Sequence, residues 1–221
     1  MMSASSGENK GDEFVMAIIK ESISEQIYNL IKEQIFNQEL KLGSRIDTKK
    51  FAEEHNISMM PVRDALNRLE NQGLISRKSR VGYFVRSFSR KEAEEIMEVR
   101  KMYEIYSLEE HFDKIERDSM KKILRKSTEN NNISREDFDQ LDDSLHNLII
   151  SGSGNNFLIN CYNQVVDQIT LFRRLDKNRI RSATEEHIKL INAILSGELE
   201  RSRKMLKLHI ELVTAAALEN I

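Results

Sequence analysis

Residues 47–85 read DTKKFAEEHNISMMPVRDALNRLENQGLISRKSRVGYFV, and this stretch constrains what the rest of the chain can fold into. Asp47 is an N-cap for a short helix ending near His55 and Asn56, and Ser58 caps a second helix that runs to Gln72, with Gly73 as its left-handed stop. Pro61, the only proline in the chain, falls in the first turn of the second helix, where its missing N–H loses no hydrogen bond. The spacing therefore predicts two helices joined by a tight turn.

In the second helix Val62, Ala65, Leu66 and Leu69 recur at i, i+3, i+4 and i+7, which makes one stripe core. Met59, Met60, Arg63 and Asn67 lie on the other face, the one that the major groove of double-stranded DNA would meet. After Gly73, residues 74–77 and 83–86 are short β-prone runs on either side of a basic turn, Lys78-Ser79-Arg80-Val81-Gly82. Together these elements predict a winged helix-turn-helix with a small two-stranded wing. Residues 40–86 hold ten Lys and Arg against five acids, whereas the whole chain has a net charge of -2.

The segment FAEEHNISMMPVRDALNRLENQGLI, followed by VGYFV, resembles the N-terminal DNA-binding domain of the GntR family of bacterial transcription regulators. The PVRDAL core, the Leu-Glu then Gly-Leu-Ile exit and the Gly-Tyr-Phe-Val wing all occur in register. The resemblance implies that Arg63 reads bases, that Arg45, Lys49 and Arg68 hold phosphates, and that Gly82 places the wing at the minor groove. Two departures bear on which operator is read. Met59 and Met60 replace the usual basic or small polar pair before the proline, and Val81 replaces the usual wing base, for which Arg80 is the substitute.

A chain of 221 residues with 39% hydrophobic and 32% charged residues has the length of two domains. No segment reaches the roughly 20 apolar residues needed to span a bilayer, and no hydrophobic signal core is present, so a cytoplasmic protein is expected. Cys161 is the only cysteine, which excludes an intrachain disulfide and zinc-finger spacing; alone, it reads as a buried small apolar residue. Residues 1–14 are polar and without periodicity, and read as a disordered tail. Residues 15–88 form the winged domain, its first helix opened by Ser22-Ile-Ser-Glu25 as a capping box and carrying the apolar stripe Ile27, Leu30, Ile31 and Ile35.

Residues 89–221 start with a second capping box, Ser89 to Glu92, and read as helix almost to the end. Breaks at Asn130-Asn131-Asn132, Ser151-Gly152-Ser153-Gly154 and Gly197, with a looser one at residues 176–178, divide them into six helices: 89–112, 115–129, 134–151, 155–175, 180–196 and 198–219. A mainly α chain follows, with an antiparallel helical bundle behind the winged head.

In the helix capped by Ser134, Phe138, Leu141, Leu145 and Ile149 make the apolar face, yet Asp142 and His146 fall on it too. A buried carboxylate needs a neutralising partner, and an Asp and His at i and i+4 project toward the same point, as metal ligands do. His187 leads Leu190, Ile191 and Ile194, and His209 is flanked by Met205, Leu206, Leu212 and Val213, so both also point inward. One such histidine would read as a satisfied core residue. One Asp and three His together predict a site for a divalent ion such as zinc, nickel or manganese. His55 and His111 read as surface residues.

The stretches DDSLHNLIISGSGNNFL and EEHIKLINAILSGELERSRKMLKLHIELV resemble the FCD domain of the FadR branch of the GntR family. The resemblance implies that Asp142, His146, His187 and His209 hold a metal ion, that the ion helps bind a small carboxylate effector, and that the chain works as a homodimer. Six helices resemble the shorter, VanR-like subgroup. Arg100 lies near the inward face, with two readings: a bidentate clamp on the effector carboxylate, or a salt bridge with a residue such as Glu104. Arg173 and Arg174 read as solvated or at an interface. A regulator responding to the ion alone is the alternative. A metalloenzyme lacks a motif that would supply a positioned base, so the acids Glu185 and Glu186 read as partners of the helix dipole.

Overall fold

A computed structural model describes residues 22–129, 133–176 and 178–221. The tail at 1–14, the start of the winged domain and the Asn130-Asn131-Asn132 break lie outside the described residues. Helix α1 (Ile23–Phe36) begins at Ser22, whose hydroxyl accepts from Glu25 N–H. Only that half of the expected capping box forms, because the Glu25 carboxylate is paired instead with Arg68. Ile27, Tyr28, Ile31, Ile35 and Phe36 are buried, while Leu30, expected in the stripe, is exposed.

Strand β1 (Arg45–Ile46), helices α2 (Thr48–Glu54) and α3 (Met59–Asn71), and strands β2 (Ile75–Lys78) and β3 (Gly82–Val85) complete the head. Asp47 caps α2 by accepting from Lys49 and Lys50 N–H, as its position predicts. Ser58 stands at the N-cap of α3 but its side chain makes no capping bond. Val62, Ala65, Leu66 and Leu69 are the buried stripe of α3, and Gly73 follows the helix at φ +69°, a conformation open to glycine. The wing hairpin β2–β3 forms, and β1 adds a third strand, in the order β1-β3-β2, with Arg45 opposite Phe84.

The body contains seven helices among the described residues. These are α4 (Arg90–Glu110), α5 (Arg117–Glu129), α6 (Arg135–Ser151), α7 (Asn156–Asn163), α8 (Val166–Leu175), α9 (Ile180–Leu195) and α10 (Leu199–Glu219), with a 3-10 turn at Phe112–Lys114. The predicted helix at 155–175 is two helices, so the count of six that pointed to the shorter subgroup becomes seven. At the break, Gln164 N–H and Val165 N–H bond to the carbonyls of Cys161 and Tyr162, closing tight i−3 turns with no glycine or proline to mark them in the sequence. Ser89 and Glu92 form a complete capping box on α4.

Apolar side chains from head and body form one continuous buried cluster. At their junction the Phe88 ring meets Phe172 edge to face at 5.0 Å. Lys32 Nζ of α1 lies 2.6 Å from Asp167 of α8, and Gln168 donates to the Gln72 carbonyl just after α3. Helix α8 therefore touches both α1 and the end of α3.

Candidate metal centre and DNA-binding face

Helix α6 presents Asp142 and His146 one turn apart, α9 contributes His187 and α10 His209, and all four side chains are buried. Their ligand atoms lie within 4.8 Å of one another. His187 Nε2 is 3.3 Å from His209 Nε2 and 3.4 Å from Asp142 Oδ1; His146 Nε2 is 3.9 Å from the same oxygen. Two donors on one cation at about 2.1 Å stand roughly 3.0–3.4 Å apart, so the spacing of His187 with His209 and with Asp142 suits a cation, whereas His146 Nε2, 2.9 Å from Arg100 Nη2, must first lose that contact. Asp142 Oδ1 is buried without a hydrogen-bond partner, as expected for an oxygen facing an ion position.

The outer ring nitrogens of His146 and His209 are already engaged. His146 Nδ1 lies 2.7 Å from Glu104 Oε2, and His209 Nδ1 lies 2.8 Å from Glu186 Oε2. A carboxylate on Nδ1 holds the proton there and turns the Nε2 lone pair inward. Burial pushes the basicity of His187 and His209 well below the usual imidazole range, reinforced by neighbouring cationic groups, so both rings are neutral donors. Burial acts to raise the Asp142 carboxyl, but the Arg173 guanidinium beside it opposes this and the group is held well below the ordinary range. Asp142 is ionised.

Three of these supports were not read from the sequence. Glu186 adjoins His187 in sequence, yet consecutive helical residues do not share a face, and its carboxylate crosses to His209 while pairing with Arg179. Glu104 was legible as the i+4 partner of Arg100 but not as a partner of His146. Arg173 is buried rather than solvated: it donates to Asp142 Oδ2 and lies 2.9 Å from Asp143 Oδ1. Cys161 is half-buried.

Arg100 is 1% exposed, with Nε 2.7 Å from Glu104 Oε1 and Nη2 2.9 Å from His146 Nε2. The salt bridge with Glu104, one of its two readings, is formed. Its Nη1 has no hydrogen-bond partner. Tyr162 donates to the other side of Glu104 at 2.8 Å. A cavity of about 10 Å³ lies beside Asp142 and His209, room for about one water or ion.

On the head, Arg63, Asn67, Lys49, Arg45 and Arg80 are exposed, although the Asn67 side-chain oxygen accepts from Tyr83 at 2.9 Å. Gly82 has φ +132°, and a Cβ there would approach the Arg45 guanidine nitrogen at 3.5 Å, so the third strand sets Arg45 against the wing glycine. Met59 is half-buried and packs against the core, contrary to the outward position expected of it; Met60, 73% exposed, is the methionine on the outer face. Arg68 is paired with Glu25 at 2.5 Å and lies over the Tyr28 ring at 4.2 Å, so it would have to leave α1 to meet a phosphate.

The model of the "Bacterial regulatory proteins, gntR family" matches residues 23–85, and the FCD domain model matches residues 95–212, more than half the chain. The chain belongs to the GntR family and carries an FCD domain. This GntR regulator is 27% identical over 197 residues to the HTH-type transcriptional regulator YdhC of Bacillus subtilis (strain 168), covering 83% of this chain and 86% of that one. It is 22% identical to the Nta operon transcriptional regulator of Aminobacter aminovorans, covering 76% of this chain and 82% of the relative. A solved GntR transcriptional regulator from Rhodococcus sp. RHA1 shares the fold with a TM-score of 0.73 at 17% identity, over 90% of this chain and 98% of that one. The Zn2+-bound FCD domain of TM0439 superposes with a TM-score of 0.57 at 35% identity, over 61% of this chain and 96% of that one. The GntR regulator is thus a DNA-binding transcription regulator of a class that is not enzymatic, and its FCD domain has a solved relative that binds zinc. Among its described residues no helix is long and apolar enough to cross a membrane.

Proposed function

We propose that the regulator holds a divalent metal ion on Asp142, His146, His187 and His209, and that a small organic acid bound with it sets the affinity for operator DNA. The observation that carries this reading is the convergence of four buried donors around an unpartnered Asp142 oxygen. Three imidazoles and one carboxylate suit zinc, nickel or manganese, and a bound ion would supply a Lewis-acidic position for an acid's carboxylate. Arg100, with one guanidinium nitrogen unpartnered, is the group that would orient that carboxylate.

The regulator reads DNA as a homodimer, one α3 helix per half-site, since helix-turn-helix recognition pairs half-sites about one turn apart. Arg63 and Asn67 face base edges, Arg45 and Lys49 hold phosphates, and Arg80 with Gly82 brings the wing to the minor groove. The Zn2+-bound state of the TM0439 domain supports the metal part of the reading. An effector acts only through a difference in affinity between two arrangements of the body, typically about 1 to 3 kcal/mol.

The 10 Å³ cavity favours a second reading, in which the ion alone is the signal, because an organic acid there needs lining residues such as Arg173 and Arg179 to move. Elemental analysis and native mass spectrometry of the purified chain test both. Metal with a co-purified acid supports the first reading, and metal alone, with DNA affinity set by zinc, supports the second. A chain that neither carries nor takes up metal overturns both.

A further inference from the structure

On the metal reading, a run of charged side chains gives the head a way to sense the site. Asp142 divides its oxygens: Oδ1 faces the imidazoles, and Oδ2 accepts from Arg173. Arg173 Nη2 lies 3.2 Å from Asp139 Oδ1, and Asp139 Oδ2 lies 2.8 Å from Nε of the adjacent Arg174. Arg174 Nη1 in turn lies 2.7 Å from Glu33 Oε2 on α1, with its guanidinium 4.8 Å from the Phe36 ring centre. Alternating charges therefore run from the ligand Asp142 through Arg173, Asp139 and Arg174 to Glu33, on the helix that buttresses α3.

We infer that this run of ion pairs couples occupancy of the metal site to the seating of the DNA-binding head. Arg173 faces Asp139, Asp142 and Asp143 at once. Positive charge placed at Asp142 Oδ1 weakens the hold of that carboxylate on Arg173, which then favours Asp139. Asp139 gives up part of its hold on Arg174, and Arg174 turns to Glu33. The inner pairs are able to redistribute because they are contacts without directional bonds: both Asp139 oxygens, Arg173 Nη2 and Arg174 Nε are buried and lack hydrogen-bond geometry. Burial keeps such pairs from being screened by water and salt. Occupancy of the site thus tightens the grip of the body on α1.

Coupling is reciprocal, so loosening the far end must weaken the ion. The test measures zinc affinity of the full chain by competition with a chromophoric chelator, for wild type, Glu33→Gln, Arg174→Gln and the double variant, with circular dichroism reporting folding. Glu33 is half-exposed, which keeps its variant folded. Glu33→Gln is expected to lower zinc affinity roughly 3- to 10-fold, and to have no further effect once Arg174 is Gln. Lys32→Gln breaks a pair with Asp167 outside the run and is expected to leave affinity within about twofold. Unchanged affinity in Glu33→Gln, an effect that persists without Arg174, or an equal effect from Lys32→Gln each overturns the relay while leaving the metal reading intact. Absence of zinc binding by the wild-type chain overturns both.

Discussion

Glu186 Oε2 lies 2.8 Å from His209 Nδ1, a carboxylate on α9 orienting an imidazole on α10. Burial acts to raise the Glu186 carboxyl, and Arg179 partly opposes it by pairing at 2.7 Å. Glu186→Gln keeps the shape and loses the charge that fixes the ring proton. Metal affinity is expected to fall roughly 10- to 100-fold with the fold retained. Chelator competition checks this, and an unchanged affinity would show that His209 needs no orienting carboxylate.

His187→Ala and Asp142→Ala should each remove most of the metal found by elemental analysis. Wild type in zinc at about 100 times its dissociation constant should gain about 2.7 kcal/mol of stability, which either variant loses. A thermal shift with zinc that survives Asp142→Ala would place the ion elsewhere. In metal-free protein the two variants differ, because Asp142→Ala also strands Arg173 among fewer carboxylates, and leaving a buried charge without its partner is destabilising.

Arg63→Ala is expected to lower affinity for the specific operator by about 1 to 3 kcal/mol while leaving random DNA nearly unaffected. Lys49→Ala should weaken both and reduce the slope of log affinity against log salt by about one. Titration of both variants at several salt concentrations separates the roles; equal losses for Arg63→Ala on both DNAs would mean that it holds a phosphate. Arg68→Ala should act mainly on stability, through Glu25 and Tyr28.

The capping box at the head–body boundary predicts an acid dependence. The Ser89 backbone and hydroxyl, with Arg86, lower the Glu92 carboxyl from its ordinary 4.5 to about 2. The folded chain therefore binds this proton less readily than the unfolded chain. The contribution is complete above about pH 4.5 and is lost as pH falls toward 2. Glu92→Gln should lower the melting temperature near pH 6 and converge with wild type at the acid end. A constant difference across that window would contradict the assignment.

Most of the head was legible because each element announces itself within a few residues. Asp47 caps α2, Gly73 ends α3 and the period of Val62, Ala65, Leu66 and Leu69 marks the buried stripe. The division between α7 and α8 was not legible, since its tight turns use ordinary residues. Met59 was misplaced: it stands at the first position of α3 and packs against the buried core.

The sequence by itself determined that Asp142, His146, His187 and His209 face inward, because helical period and apolar neighbours are local properties. Only the packing of α6, α9 and α10 decided that they meet within 4.8 Å, and only the crossing of α8 brought Arg173 and Arg174 between that site and Glu33. Periodicity specifies the direction of a side chain from its own axis; which distant side chain it finds there depends on how helices cross, and residues far apart in the chain settle that together.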